Sequence, residues 1–212
     1  MKIAILIYEG FTALDVIGPY EVLSCLPDAQ VHFVSTERGP KRAHTNFLSI
    51  VADYTLNEIQ DPDIIVVSGG TSGTMAVAED QRVLTWLRRG HETSTWTTSV
   101  CTGSLILGAA GILKGLKATT HWYAKDFLSK FGAEYVSERV VRQGKIITAA
   151  GVSSGIDMAL HLAKEIGGTE LAQTIQLIIE YDPKPPFDSG SVAKASPAVI
   201  QIARQLADIA FK

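Results

Sequence analysis

Short, almost wholly apolar runs alternate along this chain with longer segments of helical period. Lys2 to Tyr8 (KIAILIY) and Asp63 to Ser68 (DIIVVS) read as buried strands, because a strand covered on both faces needs continuous apolarity rather than alternation, and Gln30 to Ser35 (QVHFVS) reads as a further strand between them. Between Tyr8 and Gln30, Gly18 to Leu26 predicts a helix begun near Pro19, whose fixed φ suits a first turn. Asp80 to Arg89 predicts an exposed amphipathic helix. Thr95 to Val100 (TWTTSV) predicts a strand that runs directly into a small-residue helix, Thr102 to Leu113 (TGSLILGAAGIL). Trp122 to Phe131 reads as helical, and Glu138 to Thr148 (ERVVRQGKIIT) as a hairpin around Gln143–Gly144. Ser154 to Ile166 and Thr169 to Tyr181 predict helices parted by Gly167–Gly168. Asp182 to Ser196, rich in Pro, Gly and Ser, is loop, and Pro197 to Phe211 is a terminal helix. Strands alternating with helices imply an α/β fold, a mostly parallel sheet with helices on both faces.

At 212 residues and 46% apolar, with neither internal repeat nor linker, the chain is expected to form one domain over residues 1–212. A net charge of −3 gives no electrostatic basis for binding nucleic acid or an anionic membrane. No apolar run reaches the roughly 20 residues that span a bilayer, and MKIAILIYEG turns polar too early for a signal peptide. The cytoplasm is the expected compartment. Cys25 and Cys101 form neither a metal motif nor a disulfide framework, which fits a reducing environment.

Open α/β sheets place their sites beyond the carboxyl ends of the strands, and three loops there carry chemistry. The first, EGFTALDVIGP, holds Asp15; the second, SGGTSG, holds the backbone amides of Gly69 and Gly70; the third is the elbow at Cys101. A tight strand-to-helix turn strains its central residue and projects the side chain outward, and the following helix N-terminus favours an anion. A thiol so placed is expected to titrate below its ordinary value of about 8.5. If the three strands are neighbours, a thiol, a carboxyl and two amide donors converge, a set suited to adding a nucleophile to a small electrophile.

The segments that carry this chemistry also carry a resemblance. SVCTGSLILGAAGIL, ALDVIGPYEVL, VVSGG, ATTHW and AAGVSSGIDMAL look like the ThiJ/PfpI superfamily. With ERVVRQG and the tail IQLIIEYDPKPPFDSGS, the ordered set resembles the isocyanide hydratases within it, over nearly the whole chain. The resemblance implies a flavodoxin-like three-layer sandwich, a homodimer, and no metal or organic cofactor. It implies hydration of a small apolar isocyanide, R–N≡C plus water, to an N-substituted formamide. Cys101 would attack the terminal carbon to form a covalent thioimidate, and Asp15 would serve as general acid and base. Thr102 would place its hydroxyl or amide at the site. Gly151–Val152 matches a pocket-lining loop, where Ala149 and Ala150 depart from a more glycine-rich family pattern.

Each assignment has a plainer counterpart. Asp15 also suits a helix cap, and Gly69 and Gly70 also suit a simple turn. Glu21 is either near the site or on a solvated helix face, and His121 is either a partner of the cysteine or a structural histidine. Cys25, within VLSCLP, reads as a small buried hydrophobe. The proline-rich loop either wraps a partner, roofs the pocket or lies on the surface. Peptidase-like members of the superfamily place a histidine directly after the nucleophile, where this chain has Thr102. Glyoxalase-like members use glutamate and histidine, where this chain has Asp15. Domains of this kind also precede DNA-binding segments in regulators, but no helix-turn-helix pattern occurs here. Redox sensing by an oxidisable thiol lacks a resolving cysteine nearby.

Overall fold

A computed structural model of the chain describes residues 1–210. In chain order the elements are β1 (Lys2–Leu6), α1 (Ala13–Leu23), β2 (Gln30–Ser35), β3 (Gly39–Arg42), β4 (Ser49–Ala52), β5 (Tyr54–Thr55) and β6 (Ile64–Val67). Then follow α2 (Ser72–Glu79), α3 (Gln81–Thr93), β7 (Trp96–Val100), α4 (Gly103–Ala109), β8 (Lys117–Ala118), α5 (Lys125–Leu128), β9 (Glu134–Tyr135), β10 (Val140–Gln143), β11 (Ile146–Ala149), α6 (Ser154–Ile178) and α7 (Pro197–Ala210).

The central sheet has seven strands in the order β10-β11-β7-β6-β1-β2-β5. Its neighbours pair in parallel except for the β10–β11 hairpin. The helices pack in two groups, α1 with α6 and α2 with α3 and α4, as a sheet covered on both faces requires. Every residue of β6 and β7 is buried, and Ile3, Ile5, Ile64, Ile65, Leu87, Ile106 and Leu107 are almost wholly removed from water. Each such side chain contributes about 1.5–3 kcal/mol of transfer free energy. The flavodoxin-like sandwich is therefore present. From β1 the chain winds to β2 on one side and to β6 and β7 on the other, so the switch in winding lies between β1 and β6.

Several elements depart from the sequence expectation. The first helix begins at Ala13, so Pro19 lies inside it and leaves the carbonyl of Asp15 without its usual helical donor. Close packing compensates: a Cβ on Gly18 would stand 3.1 Å from Ile156 Cγ1, and one on Gly155 would stand 3.2 Å from Pro19 Cδ. These small residues let α1 and α6 approach. The helix after the elbow ends at Ala109, earlier than expected. The segment 122–131 divides into two 3₁₀ turns flanking α5, and Gly132 ends it at φ 77°. The β3–β4 hairpin and α2 were not expected at all. Gly168, at φ 85° and ψ 173°, kinks α6 where two helices were expected. Residues 182–196 form the expected loop, α7 is described to Ala210, and Phe211 lies outside the described residues. Among the described residues no helix is long and apolar enough to cross a membrane.

Candidate active site

Because β1, β6 and β7 are adjacent, the loops that follow them meet at one place. Cys101 occupies the turn between β7 and α4 at φ 59°, a conformation uncommon for residues other than glycine and typical of a strained nucleophile elbow. The turn is pinned from both sides. The Cys101 N–H donates to the carbonyls of Ala149 (3.1 Å) and Ala150 (3.0 Å), and its own carbonyl accepts from Ser104 Oγ (3.2 Å) and Thr120 Oγ1 (3.1 Å). Gly103 is needed next, since a Cβ there would sit 2.2 Å from the carbonyl oxygen of Val67.

Asp15, in the first turn of α1, is fully buried beside the thiol. Its Oδ2 accepts the Gly69 N–H at 3.0 Å, while Oδ1 is buried without a hydrogen-bond partner among the described residues. Gly69 permits this approach: a Cβ there would lie 2.6 Å from the Thr102 nitrogen and 2.7 Å from Asp15 Oδ2. The Gly70 N–H donates to Thr102 Oγ1 at 2.9 Å, and that hydroxyl donates back to the Gly70 carbonyl at 2.8 Å. Both glycine amides are thus engaged within the protein and are not open donors for a substrate oxyanion. The donors facing sulfur are instead the backbone N–H groups of Thr102 and Val152. Val152 holds its amide there at φ 31°, strained for a β-branched residue.

The electrostatics reverse the expectation for the thiol. Burial pushes the Cys101 thiol well above its ordinary value, and the neighbouring Asp15 carboxylate adds to this, against the pull of the Val152 and Thr102 amides. Burial also pushes Asp15 up to about 8, although the Gly69 amide and the thiol oppose the rise. Helix α4 spans only seven residues, and its N-terminal field does not offset the loss of water at a residue 4% exposed. Two acids in one dry site hold their protons together, and such a pair titrates as a unit.

His121 lies beside the site without joining the pair. Its ring packs on Gly151, where a Cβ would stand 2.6 Å from Cδ2, and its Nδ1 accepts the Tyr123 N–H at 3.4 Å. Burial lowers its pKa, so the ring is neutral near pH 7. Glu21 does not belong here; it is exposed on α1. Cys25 is exposed rather than buried, its thiol donating to the Glu21 carbonyl at 3.3 Å. Two residues that the pattern did not single out adjoin the site. Tyr8 and Thr74 are buried and hydrogen-bonded toward Thr102. Tyr8 reads from sequence as an ordinary strand residue, and Thr74 stands in a helix that was not expected.

A cavity of about 510 Å³ opens on the Thr102 side, walled by Met75, Leu105 and Phe127 and reaching Thr74, Tyr123 and Asp208. Its wall includes Thr102 but not the thiol of Cys101. Tyr123 donates to Asp208, and Arg204 stands 5.7 Å over the Trp122 ring, so α7 is tied to the cavity's edge. Among the described residues no group of three or more His, Cys, Asp or Glu side chains is arranged to hold a metal.

Residues 1–165 match the DJ-1/PfpI family. The chain is 43% identical over 212 residues to the isonitrile hydratase of Pseudomonas putida, covering 100% of this chain and 92% of that protein. A ThiJ/PfpI family protein from Pseudomonas syringae superposes with a TM-score of 0.94 at 38% identity, over 99% of this chain and 88% of that one. The HTH-type transcriptional regulator CdhR of Pseudomonas aeruginosa is 32% identical over 143 residues, 66% of this chain but 42% of the regulator.

Proposed function

The chain belongs to the DJ-1/PfpI family, and on that premise we propose that it is a cysteine-dependent isocyanide hydratase, converting R–N≡C and water to an N-substituted formamide. The observation that carries this reading is the full-length similarity to the Pseudomonas putida isonitrile hydratase. The pairing of Asp15 with Cys101 in a dry pocket supports it, because the reaction needs a nucleophile and a proton source at one carbon.

The reactive form of the pair has one proton, on Asp15, with Cys101 as thiolate. Sulfur attacks the terminal isocyanide carbon, an S–C bond forms, and the carbon takes the Asp15 proton to give the thioimidate R–N=CH–S. Asp15, now a carboxylate with a free Oδ1, removes a proton from the incoming water as its oxygen adds to that carbon, and passes the proton to nitrogen. The tetrahedral adduct then returns its hydroxyl proton to Asp15 as the C–S bond breaks, releasing R–NH–CHO and restoring the thiolate. The Thr102 and Val152 amides stabilise the sulfur anion at the first and last steps. No metal or organic cofactor enters this cycle. The apolar wall of the 510 Å³ cavity would hold the R group, since an isocyanide substituent offers no charge to grip.

A homodimer working in the cytoplasm completes the proposal. Support for the dimer is the apolar surface at the end of α6 and along α7, where Leu177, Ile178, Ile202, Leu206 and Ile209 are all more than half exposed. The direct test is formamide formation from a simple alkyl isocyanide by the purified protein, alongside Cys101→Ala and Asp15→Asn. Turnover lost in both variants supports the scheme; a wild type with a reactive thiol and no formamide overturns it.

A further inference from the structure

A buried chain of hydroxyls runs behind the reacting pair and ties together the three loops that form it. Tyr8, just beyond β1, donates its phenol proton to the Ser68 carbonyl at 2.9 Å and lies 3.1 Å from Thr74 Oγ1. Thr74, in α2, lies 2.9 Å from Thr102 Oγ1, and Thr102 clamps both the amide and the carbonyl of Gly70. Ser68 in turn donates to the Leu6 carbonyl at 2.7 Å. The turn held in this way, Ser68 to Gly70, supplies the one amide that Asp15 accepts. Tyr8, Thr74 and Thr102 are 6%, 1% and 0% exposed, so no bulk solvent substitutes for a lost partner.

Proton counting shows what the chain is for. Three hydroxyls have three protons, whereas the contacts from Tyr8 to Ser68, Tyr8 to Thr74, Thr74 to Thr102 and Thr102 to Gly70 number four. Every hydroxyl proton is therefore already engaged, and Thr102 has none to offer a substrate. Removing one member leaves a buried oxygen unsatisfied, which costs about 1–3 kcal/mol and is relieved by movement of the turn. Tyr8 also lies close enough to Asp15 and Cys101 to feel their charges.

We propose that Tyr8 and Thr74 are positioning residues, which act through Thr102 and the Ser68–Gly70 turn to hold the Gly69 amide on Asp15 and so set the protonation of the Asp15–Cys101 pair. The inference rests on the hydratase reading for its catalytic consequence, but the geometry it concerns is measurable without any isocyanide.

The test uses full-length protein with Cys25→Ser, which removes the exposed second thiol. The pH dependence of Cys101 alkylation by iodoacetamide is then compared for Tyr8→Phe, Thr74→Val and Thr74→Ser. Loss of the Gly69 contact removes a bond that favours the Asp15 carboxylate, so Asp15 keeps its proton, the negative charge that raises Cys101 is removed, and the midpoint in Tyr8→Phe and Thr74→Val moves to lower pH. The expected displacement is about one unit, a roughly tenfold rise in alkylation rate at neutral pH. Thr74→Ser, which keeps the hydroxyl, restores the wild-type midpoint. An unmoved midpoint in both Tyr8→Phe and Thr74→Val, with only the melting temperature lowered, overturns the proposal. A Thr74→Ser midpoint as displaced as that of Thr74→Val also overturns it, because the methyl group rather than the hydroxyl would then matter. Formamide formation is recorded in parallel; its absence in the wild type counts against the hydratase reading alone, while the alkylation midpoint still decides the positioning role.

Discussion

The elbow around Cys101 and the C-terminal arm formed by α7 and the loop before it are built on opposite principles. At the elbow polar groups are buried, and nearly every one is held: Asp15 by Gly69, Thr102 by Gly70, the Cys101 carbonyl by Ser104 and Thr120. In the arm apolar groups are exposed, with Phe187 at 79% and Ile209 at 72%. Side chains 199, 202, 206 and 209 recur at helical spacing and line one stripe of α7. Buried polarity costs stability and is kept where chemistry needs it; exposed apolarity is kept where another surface covers it. The difference teaches that buried polarity and exposed apolarity occupy separate parts of the molecule, joined through the Tyr123–Asp208 contact.

The sharpest way to break this comparison is at the reacting pair. Cys101→Ala is expected to lower the rate of formamide formation by about a thousandfold or more, since it removes the nucleophile. Asp15→Asn should match it in activity measured at pH 7. The next effect is steric: Gly69→Ala forces a methyl against the Thr102 nitrogen and the Asp15 carboxyl, and should reduce kcat about a hundredfold through misplacement of both.

Stability gives a third separation, with a sign opposite to that of the usual paired carboxylate. Asp15 releases its proton near pH 4 when unfolded but holds it to about pH 8 when folded, so the folded state binds the extra proton in between. The associated stability is present in full below about pH 4 and is lost as pH rises toward 8. The slope is at most about 1.4 kcal/mol per pH unit, so about 2.5 kcal/mol should disappear between pH 5 and 7 in urea titrations. Asp15→Asn should lack this component of the slope and be the more stable protein at pH 7. An identical slope in the variant would remove Asp15 as its source.

Smaller effects probe the arm. Leu206→Lys places a charge on the exposed stripe and is expected to shift the protein from dimer toward monomer in sedimentation, with the monomer's melting temperature little changed. A wild type already monomeric at micromolar concentration would break the assembly half of the comparison. At the bottom of the scale, Glu21→Gln should leave kcat within about twofold, because an exposed side chain there has no route to the thiol.

Much of this was legible in the residues alone, for local reasons. Apolar runs at KIAILIY and DIIVVS and the β-branched run TWTTSV fit strands, and their alternation with helical segments implies a mostly parallel sheet covered on both faces. The abrupt passage from TWTTSV to CTGSLIL marked the elbow, because a strand that meets a small-residue helix without a linker must turn at one residue. The glycine pairs Gly69–Gly70 and Gly167–Gly168 were visible as breaks between elements, since glycine interrupts both strand and helix.

What only the tertiary structure decided is where groups distant in sequence meet and how dry that place is. The start of α1 at Ala13, against the local signal of Pro19, follows from its close packing on Gly155 and Ile156 of α6. Asp15 and Gly69 are 54 residues apart, and the contact between them arises from strand order rather than from any motif. The same contact closes the Gly69 amide to substrate and leaves the Thr102 and Val152 amides facing sulfur. Sequence pattern placed the thiol at a helix N-terminus, which favours the anion; folding buried it beside a second acid, which disfavours the anion more strongly. Proton affinity depends on every charge and water within several ångströms, and those neighbours are assembled only when the chain closes on itself.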